Sequence, residues 1–301
     1  MSQSTFSWKK FWNRLTSFWL QVFFYSVLLF LVAVKMKWID FNIKELSQTL
    51  LPITTSRWWF ATDYVMLYIF TPYINVMLNN LTKKQYNYLV LSLIGVASAY
   101  QTLFRTYSPI KDTNINNLII FVMFYIIGAY FRKYTYKNTK VERNIAIITF
   151  FSIWILNACK SFFIGYISYK TSNPVYLTRD ETLSHLTSLV VVLLAISMFV
   201  IFKNTHIKYN KTINILAFTT FGIYLIHDNN YIRGKLWNDW FNVVAMYRSY
   251  DLLSFIVHIF VIVVLIFSVC SLIEYMRIKL FVYIAKVYQI IKHKIATRLK
   301  H

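Results

Sequence analysis

The sequence predicts an all-α protein, a polytopic transmembrane bundle of about eight helices. Three observations carry that expectation. Of 301 residues, 57% are hydrophobic and only 14% are charged, a balance outside that of an ordinary soluble domain. The apolar residues come in repeated runs long enough to cross a hydrocarbon core about 30 Å thick, which takes roughly 20 helical residues. The basic residues, which bring the formal charge to +21, fall in the gaps between those runs. A nucleic-acid binder gathers its basic residues on one soluble face, so here they read as topology signals and nucleic acid is excluded as a partner.

The first run, Phe18 to Met36, exceeds the apolar core of a signal peptide and is not followed by a small-residue cleavage site. It is therefore read as a retained span, with no cleaved targeting segment. Further spans are expected at Trp58 to Leu78, Tyr86 to Phe104, Asn117 to Phe131, Asn144 to Ile167, Leu183 to Phe202, Ile213 to Ile226 and Leu252 to Met276. The seventh run reaches only about 21 Å at about 1.5 Å per residue. A short helix that carries Gly222 and ends in His227, Asp228 and Asn229 suits a cavity wall better than a lipid-facing position.

Loop charge sets the expected orientation. With the N-terminus cytoplasmic, the inner segments hold Lys9, Lys10 and Arg14; Lys83 and Lys84; Arg132, Lys133, Lys137, Lys140 and Arg143; and Lys203, Lys208 and Lys211. The outer segments hold nearly all the loop acids: Asp40, Glu45, Asp112, Asp180, Glu181, Asp228, Asp239 and Asp251. Both termini are then inside and the His-Asp-Asn triplet is outside. Beyond Met276, Leu280, Ile284, Val287, Ile291, Ile295 and Leu299 recur at helical spacing among Lys279, Lys286, Lys292, Lys294 and Arg298. The expected organisation is a membrane domain over 1–276 and a basic amphipathic cytoplasmic tail over 277–301. That tail is expected to lie on the anionic inner leaflet, with the lipid bilayer as partner. Cys159 and Cys270 fall inside apolar spans and are read as small buried apolar residues rather than as a disulfide. No metal site, internal repeat or Gly-rich phosphate loop is expected.

An ionisable side chain at mid-membrane costs about 2.5–3.5 kcal/mol on insertion scales, so each needs a reason. Asp63 sits one turn inside the second span between Trp59 and Tyr64, either as a functional group or as the partner of Arg57 or Arg105. Lys160 and His185 lie near outer ends, where snorkelling or hydration accounts for them. Glu274 and Arg277 have the spacing of a same-face helix pair. His227 is the best placed for chemistry, because imidazole exchanges protons near neutrality and a neighbouring Asp or Asn can fix its tautomer. Adjacent residues point apart on a helix, so His227 and Asp228 are not assumed to be a dyad, and a helix-end cap is the other reading. Trp58, Trp59, Tyr64, Tyr224, Tyr231 and Trp237 cluster near the outer face, either to stack on sugar rings or as an ordinary aromatic belt.

Two stretches carry a resemblance. FGIYLIHDN, Phe221 to Asn229, followed by Arg233 and Trp237, resembles the late-helix signature of the bacterial acyltransferase 3 family, integral membrane enzymes that O-acylate surface carbohydrates. WWFATDYVMLYIFTPYIN, Trp58 to Asn75, is similar to that family's Trp-Phe, Tyr, Tyr and Pro pattern on a middle helix. The resemblance implies a multi-pass plasma-membrane acyltransferase. It would move an acyl group, acetyl being expected, from acyl-CoA (acetyl-CoA) to a hydroxyl of a cell-surface polysaccharide or lipid-linked glycan. It implies supporting catalytic roles for His227 and Asp228, and substrate binding by Asn229, Tyr224, Arg233, Trp237, Asp63, Trp59 and Tyr64. Members usually open with a helix pair carrying an Arg and a His assigned to catalysis. This sequence has no counterpart of that pair and is expected to be a member lacking it, with little activity alone. An inactive truncated member and a glycan or ion transporter are the alternatives, although the paired broken helices common in transporters are missing.

Overall fold

Backbone polar groups surrounded by hydrocarbon have no water to bond, so an apolar run of this kind closes its hydrogen bonds within a helix. A computed structural model of the chain describes residues 7–104, 114–135, 139–173, 175–177, 180 and 185–298. It is 85% helical, and the described residues include no strand. The chain divides into a terminal unit, Ser7–Thr62 with Tyr209–His301, and a middle unit, Asp63–Lys208.

The terminal unit begins with α1 (Trp8–Lys35), started by the Ser7 hydroxyl, which accepts from the Lys10 amide. The short α2 (Ile43–Leu50) follows, capped by Asn42. A turn over residues 51–58 then leads into the first residues of α3 (Trp59–Asn80), a helix that continues into the middle unit.

Within the middle unit, α4 (Lys83–Ile94) starts at a capping box formed by Thr82 and Gln85. It passes through a π-helical turn, Gly95–Ala99, into α5 (Tyr100–Phe104). Next come α6 (Asn114–Tyr134), α7 (Lys140–Thr171) and α8 (Leu189–Lys203). Met123, Val192 and Ala97 form one core of this unit, and Leu78, Tyr86 and Ile126 another. Polar ties close it at the helix ends. Tyr86 donates to the Ile126 carbonyl at 2.9 Å, Lys203 meets Glu142 at 3.3 Å, and Lys160 meets Asp180 at 2.9 Å. Lys160, expected to snorkel, is thus an ion-pair partner. Burial works against the charged Asp180 carboxyl, but Lys160 and Ser161 outweigh it and hold its pKa below the usual range.

The chain returns to the terminal unit with α9 (Lys211–His227), α10 (Asn230–Gly234), a π-helical turn Lys235–Trp240, α11 (Val243–Ser249) and α12 (Leu252–Arg298). Val22 and Tyr25 of α1, Trp58, Ile223 and Ile226 of α9 and Ile262 and Ile266 of α12 share one core.

Seven of the expected spans fall on helices almost to their ends; the helix in the sixth, Leu183 to Phe202, begins at Leu189, and residues 183 and 184 lie outside the described residues. Five helices are long and apolar enough to cross a membrane: Trp8–Lys35, Lys83–Phe104, Asn117–Tyr134, Lys140–Thr171 and Leu252–Lys292; Leu189–Lys203 is a shorter apolar one. Polar residues including Thr62, Asp63 and Asn75 dilute α3, and α9 is short as expected, its 17 residues spanning about 26 Å. The last helix differs from its expected division. α12 runs 47 residues without a break at Met276. Beyond that point Phe281 still packs edge-on against Phe24 of α1, with ring centroids 5.4 Å apart. The basic tail is therefore continuous with the span. Lys137, Arg105, Asp112 and Glu181 lie outside the described residues, and Lys294, Ile295, Arg298 and Leu299 outside the described side chains.

One burial expectation needs correction. Cys270 is buried but Cys159 is exposed, and neither is in a disulfide. Cys159 sits on α7, which turns Trp154, Phe162 and Phe163 outward. Hydropathy alone does not distinguish such an outward face from a buried one.

Candidate functional site

The site is built on α9. Its middle is locked to α12 by one hydroxyl pair, beside a buried polar cluster that ties α12 to α1. The Thr219 and Ser271 hydroxyls share a hydrogen bond of 2.8 Å. One turn further, the Glu274 carboxylate accepts from Tyr25 at 2.6 Å and from Gln21 at 3.1 Å. It also accepts a two-pronged pair from Arg277, at 2.8 and 2.6 Å. Glu274 is fully buried at 0% exposure, and four donated bonds satisfy what burial would otherwise leave orphaned. Gly222 makes this possible, since a Cβ there would overlap the Glu274 carboxyl. The i,i+3 spacing revealed Arg277 but not Gln21, Tyr25 or the purpose of Gly222. The available signal was the i,i+4 pair of polar groups, Gln21 and Tyr25, on one face of an apolar run.

Above that lock, α9 ends at the triplet, and each member has a different partner. The Nδ1 of His227 lies 2.7 Å from the Ile223 carbonyl oxygen. A carbonyl only accepts, so Nδ1 carries the proton and donates, which leaves Nε2 of the neutral ring with its lone pair. His227 is half-buried. Asp228 meets Arg233 at 3.3 Å, in a pair whose Arg is more than half exposed. Asn229 is buried and caps α10, its side-chain oxygen accepting from the Tyr231 amide at 2.9 Å. Asn229 is thus a cap, as one reading of the triplet had it, and Nε2 of His227 has no hydrogen-bond partner among the described residues. The carbonyl does the tautomer-fixing for which a neighbouring Asp or Asn was considered.

A second polar node holds the same end of α10 through the Tyr231 side chain. Glu45 of α2 accepts from Arg57 at 2.6 Å and from the Tyr231 hydroxyl at 2.7 Å, while the Arg57 guanidinium lies 4.8 Å over the Tyr231 ring. Arg57, expected as a possible partner of Asp63, is therefore committed to Glu45. The Tyr231 hydrogen bond is the largest influence on Glu45, and with Arg57 it prevails over partial burial to lower the carboxyl's pKa. Burial first, then the Glu45 carboxylate, raise that of the Tyr231 hydroxyl. A carboxyl depressed in the folded state adds stability above its unfolded pKa, and that contribution is lost as pH falls through the folded value. Thermal unfolding of the wild type should therefore weaken on acidification below about pH 4 more steeply than that of Glu45→Gln, which keeps hydrogen-bonding capacity but does not titrate. Parallel pH curves for the two proteins would remove the node from the acid response.

The remaining expected site residues divide between the units. Asp63 and Tyr64 belong to the middle unit; Trp59, Tyr224, His227, Asp228, Asn229, Arg233 and Trp237 belong to the terminal unit. Asp63 is buried, with Oδ2 lacking a hydrogen-bond partner among the described residues. Tyr64 stacks on Tyr68 at 6.2 Å. In the terminal unit the two signature stretches meet: Phe60 packs edge-on against Tyr224 at 5.6 Å, and Tyr224 against the His227 ring at 6.4 Å. Trp237 packs at the margin of the core. Trp58 is 1% exposed, so as placed its ring is core rather than a sugar platform. Among the described residues no group of three or more His, Cys, Asp or Glu is placed to hold a metal ion. The site offers a proton acceptor at Nε2, aromatic faces beside it and a rigid backbone junction.

A family model described as an acyltransferase domain matches residues 2–275. No curated protein and no solved structure matches the chain.

Proposed function

Because this chain belongs to the acyltransferase 3 family, and so to the membrane acyltransferases in general, we propose that it transfers an acetyl group from cytoplasmic acetyl-CoA to a hydroxyl of a cell-surface polysaccharide or lipid-linked glycan. The observation that supports this reading is the His227 tautomer, with Nδ1 tied to the Ile223 carbonyl and Nε2 left to accept. An acceptor hydroxyl bonded to Nε2 gains nucleophilicity and gives up its proton there as its oxygen bonds to the acyl carbon. The carbon–sulfur bond breaks and coenzyme A leaves with the bonding electrons as thiolate. Tyr224 and Trp237 offer faces for a sugar ring, and Asn229 and Arg233 hold the junction that carries His227.

Membranes containing the chain, supplied with acetyl-CoA labelled in its acetyl group, should incorporate alkali-labile label into glycan at a low but measurable level, in keeping with the little activity expected of the chain alone. Glycan that stays unlabelled while crossing the membrane would overturn transfer in favour of transport.

The site faces outward if the plasma membrane is crossed in the sense of the loop charges, with Lys9, Lys10 and Arg132 to Arg143 inside. Cys159 is exposed and must first be replaced by Ser. In that background, Asn238→Cys should react with a membrane-impermeant thiol reagent on intact cells and Thr135→Cys should not. Labelling at position 135 alone would invert the orientation.

A further inference from the structure

We propose that the C-terminal stretch of α12, from Lys279 to Lys292, is a docking surface for anionic phospholipid headgroups. It is an extension of the last span that binds the membrane surface by charge and apolar contact together. After Glu274 the sequence has no further acid up to its end, yet it contains Arg277, Lys279, Lys286 and Lys292 before residue 293. Arg277 is neutralised by its two bonds to Glu274. The free positive charge therefore begins at Lys279, whose ammonium sits 5.3 Å over the Tyr275 ring.

The apolar side is equally uncovered. On a helix, Leu280, Ile284, Val287 and Ile291 share a face, with Lys279 and Lys286 on one flank of it and Lys292 on the other. Leu280, Ile284 and Ile291 are each about half exposed, at 48%, 53% and 50%. The same helix exposes Val269, Leu272 and Met276 at helical spacing from Leu280, inside the run apolar enough to cross a membrane, so its outward apolar surface continues past Met276.

Helix length brings this surface to the bilayer boundary. At about 1.5 Å per residue the 47 residues of α12 extend about 70 Å, against a core of about 30 Å. The surplus must leave the hydrocarbon, where lysines beside an apolar stripe are best satisfied by headgroups and the upper acyl chains. Charge decides between lipid and a second copy of this chain. Pairing two such helices would bring like charges together with no acid to relieve them, whereas an anionic leaflet supplies the counter-charge, worth about fivefold in attachment per lysine.

The test uses the full chain carrying Cys159→Ser, Cys270→Ala and Ile284→Cys, labelled at position 284 with an environment-sensitive fluorophore. It is reconstituted in nanodiscs of phosphatidylcholine alone or mixed with phosphatidylglycerol. The label should shift to the blue and be quenched by nitroxide-bearing lipid in the mixed discs. Salt should reverse the shift, and adding Lys279→Gln, Lys286→Gln and Lys292→Gln should abolish it. Because the salt titration needs no lysine substitution, it stands even if the triple variant folds poorly. A label that stays water-exposed in the mixed discs, or inserts equally in both lipids, overturns the proposal. A blue shift that grows with protein concentration in detergent overturns it in favour of self-association.

Discussion

Glu274→Ala is expected to destabilise the protein by about 3–5 kcal/mol, because it strips a buried arginine of its partner and leaves the charge in place. Glu274 is fully buried, and the Arg277 side chain is only 12% exposed, so water cannot take over. The double change Glu274→Leu with Arg277→Met removes the charge together with its partner and should recover part of the loss, the remainder being the Tyr25 hydroxyl and Gln21 amide left without their acceptor. Apolar replacements of similar volume are often neutral in such pairs. Gly222→Ala should be harmful for the complementary reason, since its methyl group enters the space of the Glu274 carboxyl. That harm should shrink in the Glu274→Leu/Arg277→Met background if the methyl acts mainly by breaking the ion pair. The check is thermal or denaturant unfolding in a fixed detergent. Equal destabilisation by Glu274→Ala and by the double change would show that the orphaned arginine is not the source of the loss.

His227→Ala is expected to lower glycan acylation per folded molecule by about a hundredfold or more, the usual effect of losing a positioned acid–base group. Asp228→Asn should behave differently. Asp228 is bonded to an exposed Arg233 rather than to the imidazole, and such surface pairs contribute about 0–1 kcal/mol. Its effect on turnover should stay within a few fold, by the same weak coupling. Measuring labelled acetyl transfer together with the amount of folded protein separates activity from yield. Full turnover by His227→Ala would reduce the triplet to a helix-end junction, with Asn229 as its working member. A large turnover defect in Asp228→Asn at normal yield would mean that the carboxylate reaches the acceptor during the reaction.

The spans were legible in the sequence because the bilayer acts as a solvent with one strict demand. An apolar run must close its own hydrogen bonds, so hydropathy and run length already specify helices, while their starts, at caps on Ser7, Thr82, Thr139, Ser188 and Asn210, were seen only in the structure. The Glu274 and Arg277 pair was legible for the same local reason, since residues three apart on a helix meet. His227 stood out as an ionisable group at the end of a short helix.

Contacts between distant segments could not be read this way. That Arg57 answers Glu45 and Tyr231 rather than Asp63 depends on how the 51–58 turn lies against α10, twelve and 174 residues away from the partners it joins. That Gly222 clears space for a carboxylate on α12, itself gripped by Gln21 and Tyr25 of α1, depends on three helices converging at one depth. That Trp58 is core while Cys159 is exposed depends on which apolar faces find protein and which are left outward. Local hydrogen bonding and apolar run length were thus enough to determine that the runs are helical and which stretch holds the histidine. The partners of Arg57, the hold of Gln21 and Tyr25 on Glu274 and the inward faces were decided only by tertiary packing, because they arise from side chains that share no local sequence.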